Sequence, residues 1–323
     1  MARGAVATRS FIVSLCLSLS ACTLGRCSVP PPMAQAEFEA LYAAPLPKPA
    51  SALKVFHLGH SLVGRDMPAM LQQLAPEGHR YDSQLGWGTP LKTHWGPKEG
   101  INGFATENDH PRYRDAKEAL LSGEYDAFVM TEMVNLTDAI RYFDSWDYAR
   151  RWARLAREGN PVIRVYLYES WHDLDIAGGW LDRLDSDLGT LWEGEILRRA
   201  IEPEDPKPIY LIPAGQVLAR LVRDIEGSGG FAGLTRREDL FSDRIHLNDI
   251  GAYVVALTHF AVLYQRSPVG LPHRLHRADG TPATAPSEEA ARRIQEIVWE
   301  VVTSLPRTGV PQAAAASGSA REP

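Results

Sequence analysis

Two short segments of this chain carry residues that could do covalent chemistry together. Gly59-His60-Ser61-Leu62 follows the apolar run Leu53 to Leu58 and leads into a helical pattern from about Pro68 to Leu74. A serine at such a junction has its hydroxyl at the rim of a sheet. Its amide sits near a helix start, where backbone donors and the dipole favour negative charge. A serine that merely caps the helix would occupy the same place. Asp243-Arg244-Ile245-His246 lies directly before a strongly patterned helix at about 248–265. Serine is a poor nucleophile until a base takes its proton, and imidazole titrates in the right range. That base needs a carboxylate on its other nitrogen, and on a turn an aspartate can fold back to an imidazole three residues on.

These residues have to be positioned by the elements between them. Leu53 to Leu58, Tyr81 to Leu85, Tyr125 to Thr131, Val162 to Tyr168 and Ile209 to Ile212 read as five strands. The third and fourth are apolar runs with one charge each, as in strands buried on both faces. Helices are expected at about 112–122, 145–158, 179–200, 215–226, 248–265 and 287–304. In the 248–265 segment, Ile250, Tyr253, Val254, Leu257, Ala261 and Tyr264 follow the spacing of one buried face. Strand–helix alternation of this kind predicts an α/β fold, a three-layer α/β/α domain around a mostly parallel five-stranded sheet. Active residues gather at the carboxyl ends of such strands.

The chain has 323 residues, 45% of them apolar, and a formal net charge of −6 with no basic block, which argues against nucleic acid as a partner. Arg3 and Arg9 precede an apolar stretch from Phe11 to Ala21, too short to span a bilayer and of signal-peptide length. Leu19-Ser20-Ala21-Cys22 resembles a bacterial lipobox, which implies removal of residues 1–21 and lipidation of Cys22. Cleavage there removes two arginines and no acid, taking the formal charge from −6 to −8. Cys16 leaves with the signal and Cys27 lies five residues from the anchor, so no disulfide framework, thiolate metal site or cysteine nucleophile is expected. The proline-rich segment 22–52 reads as a tether, 53–305 as the folded domain, and 306–323 as a disordered tail. The expected location is outside the cytoplasm, facing the periplasm or on the surface, with a soluble secreted form as the alternative.

Taken together, these segments resemble the SGNH/GDSL hydrolases over about residues 53–266. Ser61 matches the family's first-block serine, Asp243 and His246 its fifth-block pair. Gly88, in Leu85-Gly86-Trp87-Gly88-Thr89, matches its second-block glycine. The third block departs. The family's Gly-x-Asn-Asp is replaced by Thr131-Glu132-Met133-Val134-Asn135, where Asn135 is the match and Glu132 or Thr131 the other occupants. The aspartate that commonly precedes the serine is replaced by His60. The resemblance implies a flavodoxin-like sheet, a Ser61–His246–Asp243 triad, and an oxyanion hole from the amides of Ser61 and Gly88 with Asn135. It also implies two-step acyl transfer from an ester without a metal or other cofactor.

His60, Trp87, Glu169, Trp171 and His172 fall near strand ends and are candidates for a substrate pocket, each with core packing as the competing role. Trp87 and Trp95 could stack on a sugar ring. His94, His110, His273 and His276 show no metal-ligand spacing and read as loop residues. The leading expectation is an extracytoplasmic esterase or O-deacetylase on a small-molecule or glycan ester. A glycan O-acyltransferase and a non-catalytic glycan-binding lipoprotein are the alternatives.

Overall fold

The computed structural model describes Met1 and residues 31–312. The expected signal peptide, the Cys22 anchor and residues 313–323 of the expected tail lie outside the described residues. The five apolar runs form strands β1 (Lys54–His60), β2 (Arg80–Gly86), β3 (Ala127–Met130), β4 (Arg164–Glu169) and β5 (Tyr210–Pro213). All pair in parallel, in the order β2-β1-β3-β4-β5. Val55, Phe56, Leu58, Phe128, Val129 and Leu167 are almost fully enclosed, as expected where helices cover both faces.

The helices, in chain order, are α1 (Gln35–Ala40), α2 (Asp66–Leu74), α3 (Leu91–Trp95), α4 (Phe104–Glu107), α5 (Ala116–Leu121), α6 (Leu136–Tyr142), α7 (Ser145–Gly159), α8 (Trp180–Asp187), α9 (Arg198–Ala200), α10 (Ala214–Gly227), α11 (Asp249–Tyr264) and α12 (Glu288–Ser304). A π-helical stretch, Leu188–Leu197, joins α8 to α9 inside the segment expected as one helix. Helices α2, α10, α11 and α12 pack among themselves, and α3, α5 and α7 form a second group. The result is the predicted three-layer α/β/α arrangement.

The strand order has a consequence for Ser61. The chain leaves β1 toward one side to form β2, then crosses back to form β3 on the other. The carboxyl end of β1 is therefore the switch point, where a crevice opens in sheets of this type.

Local departures from the expected elements have physical causes. The helix expected from 112 starts only at Ala116, because Asp115 caps it by accepting from the amides of Lys117 and Glu118. Residues 112–114 instead run along β2, with Ser83 N–H donating to the Arg112 carbonyl and Arg114 N–H to that of Ser83. Helix α11 is buried nearly all round, not on one face, because it packs against α2, α10 and α12 as well as β5. The expected tether is in part a docked element. In α1, Phe38 is 1% exposed, and Tyr42 just beyond it donates its O–H to the Ile209 carbonyl at 2.8 Å. Arg307 lies over both rings, Leu46 N–H donates to the Gly309 carbonyl, and Val310 is buried. Residues 38–46 and 307–310 thus close over β5, so part of the expected tether and part of the expected tail belong to the folded unit.

This docking has a measurable weight. Phe38→Ala should cost about 3–5 kcal/mol in urea unfolding, the usual range for a fully enclosed aromatic. A loss under about 1 kcal/mol would return residues 35–46 to the status of a tether.

Candidate active site

Ser61 leaves β1 in a tight turn. The amides of Val63 and Gly64 both donate to the His60 carbonyl, at 2.9 and 3.4 Å, before α2 begins at Asp66. Gly59 permits the turn to sit close to the next strand: a Cβ there would lie 2.5 Å from the Thr131 methyl and 2.9 Å from Val63. His60 is fully buried, and both ring nitrogens are used on backbone. Its Nε2–H donates to the Glu132 carbonyl at 2.8 Å, and Nδ1 accepts from the Leu62 amide at 3.3 Å. Burial pushes its pKa down to about 4, so the ring is neutral, as this bonding requires. The Tyr168 hydroxyl donates to the Leu62 carbonyl at 3.1 Å from the opposite side.

The second segment is a hairpin, closed by Ser242 N–H donating to the His246 carbonyl at 2.8 Å and by a Phe241–Leu247 bridge. Within it Asp243 folds back as expected. One carboxylate oxygen accepts the amides of Ile245 and His246 at 2.8 and 2.7 Å, and the other meets His246 Nδ1 at 2.8 Å. The amide of His246, then that of Ile245, hold the Asp243 carboxyl down at about 2. An ionised Asp243 can only accept, so His246 carries its proton on Nδ1 and turns the Nε2 lone pair outward. That lone pair faces the Ser61 Oγ at 3.0 Å. The arrangement can draw the hydroxyl proton away and leave an oxygen nucleophile. The Trp171 indole donates to the Ile245 carbonyl at 2.7 Å, and Leu174 N–H to that of Arg244 at 2.8 Å, fixing the hairpin to the segment after β4. Asn248 then caps α11 by accepting the amides of Ile250 and Gly251.

A cleft of about 370 Å³ opens at this point, lined by Ser61, Leu62, Met67, Trp171, His246 and Arg277 among others. A larger hollow of about 660 Å³ lies between α10 and α12, remote from the serine and lined by paired charges such as Arg293 and Asp224. It has none of the site's bonding.

The remaining candidates separate clearly. Gly88 stands two residues beyond β2, whose Gly86 is in register with His60, and adopts a left-handed φ of 54° with open space around it. Trp87 beside it is half exposed, its indole N–H fixed by Glu107 at 2.6 Å and its ring laid over Gly103. Trp95 packs instead against Trp152, with ring centroids 4.9 Å apart. Trp171 lines the cleft, but three other pocket candidates do not. His60 is enclosed in the turn. Glu169 is enclosed below α10, where it accepts the Gln216 amide, and burial raises its pKa to about 8. His172 is buried against Asp187 at 3.0 Å. Each has its polar groups used inside the protein.

Asn135 caps α6. Its Oδ1 accepts the Asp138 amide at 3.2 Å, its Nδ2 donates to the Asp138 carboxylate at 2.8 Å, and the residue is exposed. Thr131 is enclosed and donates to the Tyr168 carbonyl at 2.8 Å. Glu132 is enclosed and accepts backbone amides. His94, expected on a loop, is buried in α3, where Nε2–H donates to the Gly59 carbonyl at 2.9 Å. The clamps His60, His94, Tyr168 and Trp171 were missed as such, since sequence gives no sign of which backbone carbonyl a buried ring will reach. Among the described residues no group of three or more His, Cys, Asp or Glu side chains is placed to hold a metal ion.

No family model matches the chain, and no curated protein does. Among solved structures it is similar to a DUF4886 family protein from Bacteroides uniformis, at 15% identity and a TM-score of 0.50, over 78% of this chain and 95% of that one. A carbohydrate esterase family 3 protein from Talaromyces cellulolyticus superposes at 13% identity and 0.39, over 66% and 97%. A GDSL-like lipase candidate from Parabacteroides merdae does so at 12% and 0.41, over 68% and 99%. At these identities the likeness is one of fold alone, and the two weaker superpositions add nothing to it.

The capping geometry of Asn135 yields a direct test. Asn135→Ala should lower stability by about 1 kcal/mol, as for a lost N-cap, and leave ester turnover within a few-fold of the parent. A loss of roughly 10²-fold in kcat would instead assign it the oxyanion role implied by the family resemblance.

Proposed function

We propose that the protein is a serine ester hydrolase working through an acyl-enzyme. The observation that carries this reading is the unbroken Asp243–His246–Ser61 chain, with its 2.8 and 3.0 Å contacts at the switch point of the sheet. In the first step His246 Nε2 takes the Ser61 proton as Oγ attacks the ester carbonyl. The C–O bond to the alcohol then breaks, and the imidazolium returns the proton to the departing alkoxide. In the second step water attacks the acyl-serine as His246 takes its proton, the acyl–Oγ bond breaks, the imidazolium returns the proton to Ser61 Oγ, and the acid leaves. The amides of Ser61 and Gly88 are the proposed donors to the carbonyl oxygen as it becomes negative. Exposed Trp87, held rigid by Glu107 beside Gly88, supports a glycan ester over a free small ester, because an indole face offers a sugar ring a flat apolar platform.

A fluorophosphonate probe should label Ser61 and no other serine strongly. Ser61→Ala and His246→Ala should each remove most activity on p-nitrophenyl acetate, with the double variant little worse than either, because members of one proton-transfer unit are not additive. Labelling at another serine, or multiplicative losses, would reject the assignment.

For the residues before the described domain, we propose that Cys22 is acylated and that this lipid fixes the protein's location. Wild-type protein should incorporate labelled fatty acid and sediment with membranes, and Cys22→Ala should do neither. An unlabelled, wholly soluble wild type would leave a simple secreted enzyme.

A further inference from the structure

Glu132 follows β3 and stands among the ends of three strands. Its Oε1 accepts the Met133 amide at 2.8 Å and the Leu91 amide at 3.2 Å. Leu91 opens α3 three residues after Gly88, and its carbonyl accepts the Trp152 indole N–H at 3.1 Å. The Glu132 carbonyl in turn accepts His60 Nε2–H, and His60 holds the Leu62 amide. One residue thus grips the loop carrying Gly88 with its side chain and the turn carrying Ser61 with its backbone.

The other carboxyl oxygen of Glu132 is fully enclosed, and the one polar group beside it is the equally enclosed hydroxyl of Ser145 at the start of α7. A bare carboxylate oxygen in such surroundings is costly, whereas a proton on it makes a donor next to an acceptor. No charged side chain compensates the site. The titratable neighbours are His60 on β1 and His94 on α3, both kept neutral by burial. Lys92 on α3 is paired with Asp144 ahead of α7. Burial raises the Glu132 pKa to about 7, opposed only in part by the bonds from Met133, Ser145 and Leu91.

We infer that Glu132 is a positioning residue of the proposed hydrolase, a neutral carboxylic acid that clamps the Gly88 loop and the Ser61 turn together, and that the clamp loosens when ionisation puts an uncompensated charge into its closed surroundings. The inference rests on the hydrolase reading. The folded state binds this proton more tightly than the unfolded chain does. The stabilisation is therefore full below the ordinary carboxylate range and is lost as pH rises through about 7.

The test compares wild type, Glu132→Gln and Glu132→Leu by kcat and KM on p-nitrophenyl acetate across neutral pH, with infrared spectra of the carboxylic-acid C=O stretch. Wild type should show that band at pH 6 and lose it, together with turnover, as pH rises. Glu132→Gln keeps an acceptor for both amides and cannot ionise, so it should rescue turnover and abolish the alkaline decline while lacking the band. Glu132→Leu should lose roughly 10–100-fold in kcat at little-changed KM, as a slightly misplaced site does. Absence of the band in wild type, or an alkaline decline that persists in Glu132→Gln, overturns the inference. The same holds for a Glu132→Leu protein that loses only thermal stability. If the band is present but wild type has no Ser61-dependent turnover, the hydrolase reading itself fails, and Glu132 is a buried neutral acid without a catalytic partner.

Discussion

The contact between His246 Nε2 and the Ser61 hydroxyl joins residues 185 positions apart, and the rest of the site serves to keep it at 3.0 Å. A hydrogen bond loses most of its value with a small error in distance or angle. The two segments that meet there arrive from opposite ends of the fold, one from β1 and one from the approach to α11. Neither is rigid by virtue of regular structure, since Ser61 sits in a turn and His246 in a hairpin. Their rigidity comes from buried side chains that take up their backbone groups. His60 and Tyr168 grip Leu62 from two sides, and Trp171 grips Ile245.

Those clamps work because they are uncharged. Burial lowers the His60 and His94 pKa values to about 4 and 3 and raises those of Glu132 and Glu169 to about 7 and 8. A neutral imidazole offers one donor and one acceptor, which is what the carbonyl of Glu132 and the amide of Leu62 require of His60. Protonating it would turn the acceptor nitrogen toward an amide that can only donate. Low dielectric strengthens each satisfied bond and penalises each unsatisfied one, so the network holds one arrangement or fails as a group. Glycines at two positions make room for it. Gly59 lets Thr131 approach β1, and Gly215 leaves space for the Glu169 carboxyl, which would lie 2.3 Å from a Cβ.

What the sequence made legible divides along the same line. Apolar runs and helical spacing located all five strands and the long helices, because burial on one or both faces writes a period into the chain. Ser61, Asp243 and His246 were legible because their positions at element junctions restrict where they can point. Asn135 was ambiguous: a residue that begins a helix after a strand has the same local sequence whether it caps or faces a cleft. His60, Glu169 and His172 were ambiguous in another way. Polar residues at strand ends suggest a pocket, and nothing in composition reveals that their polar groups are used inside the protein. The docking of Phe38 and Tyr42 was hidden by the prolines around them, which read as a tether although two aromatics, one in α1 and one just past it, can anchor it.

The proposed reacting groups and their supports differ in exposure for a physical reason. Side chains of His246 and Asp243 are 43% and 53% exposed, while the clamps are enclosed. An exposed carboxylate is ordinarily a weak orienting partner, because solvent screens it and its rotamers are free. Asp243 escapes this through geometry confined to its own hairpin, where two amides from the next three residues fix the carboxylate before the imidazole is considered. The Asp243–His246 pair is therefore a local unit whose orientation depends little on the core. Ser61 is the opposite case, placed by β1, β3 and β4 through buried bonds spanning more than seventy residues. Core changes reach Ser61 through those bonds and reach His246 only through the hairpin backbone that Trp171 holds, so the 3.0 Å contact between them is where a disturbance in the sheet is felt.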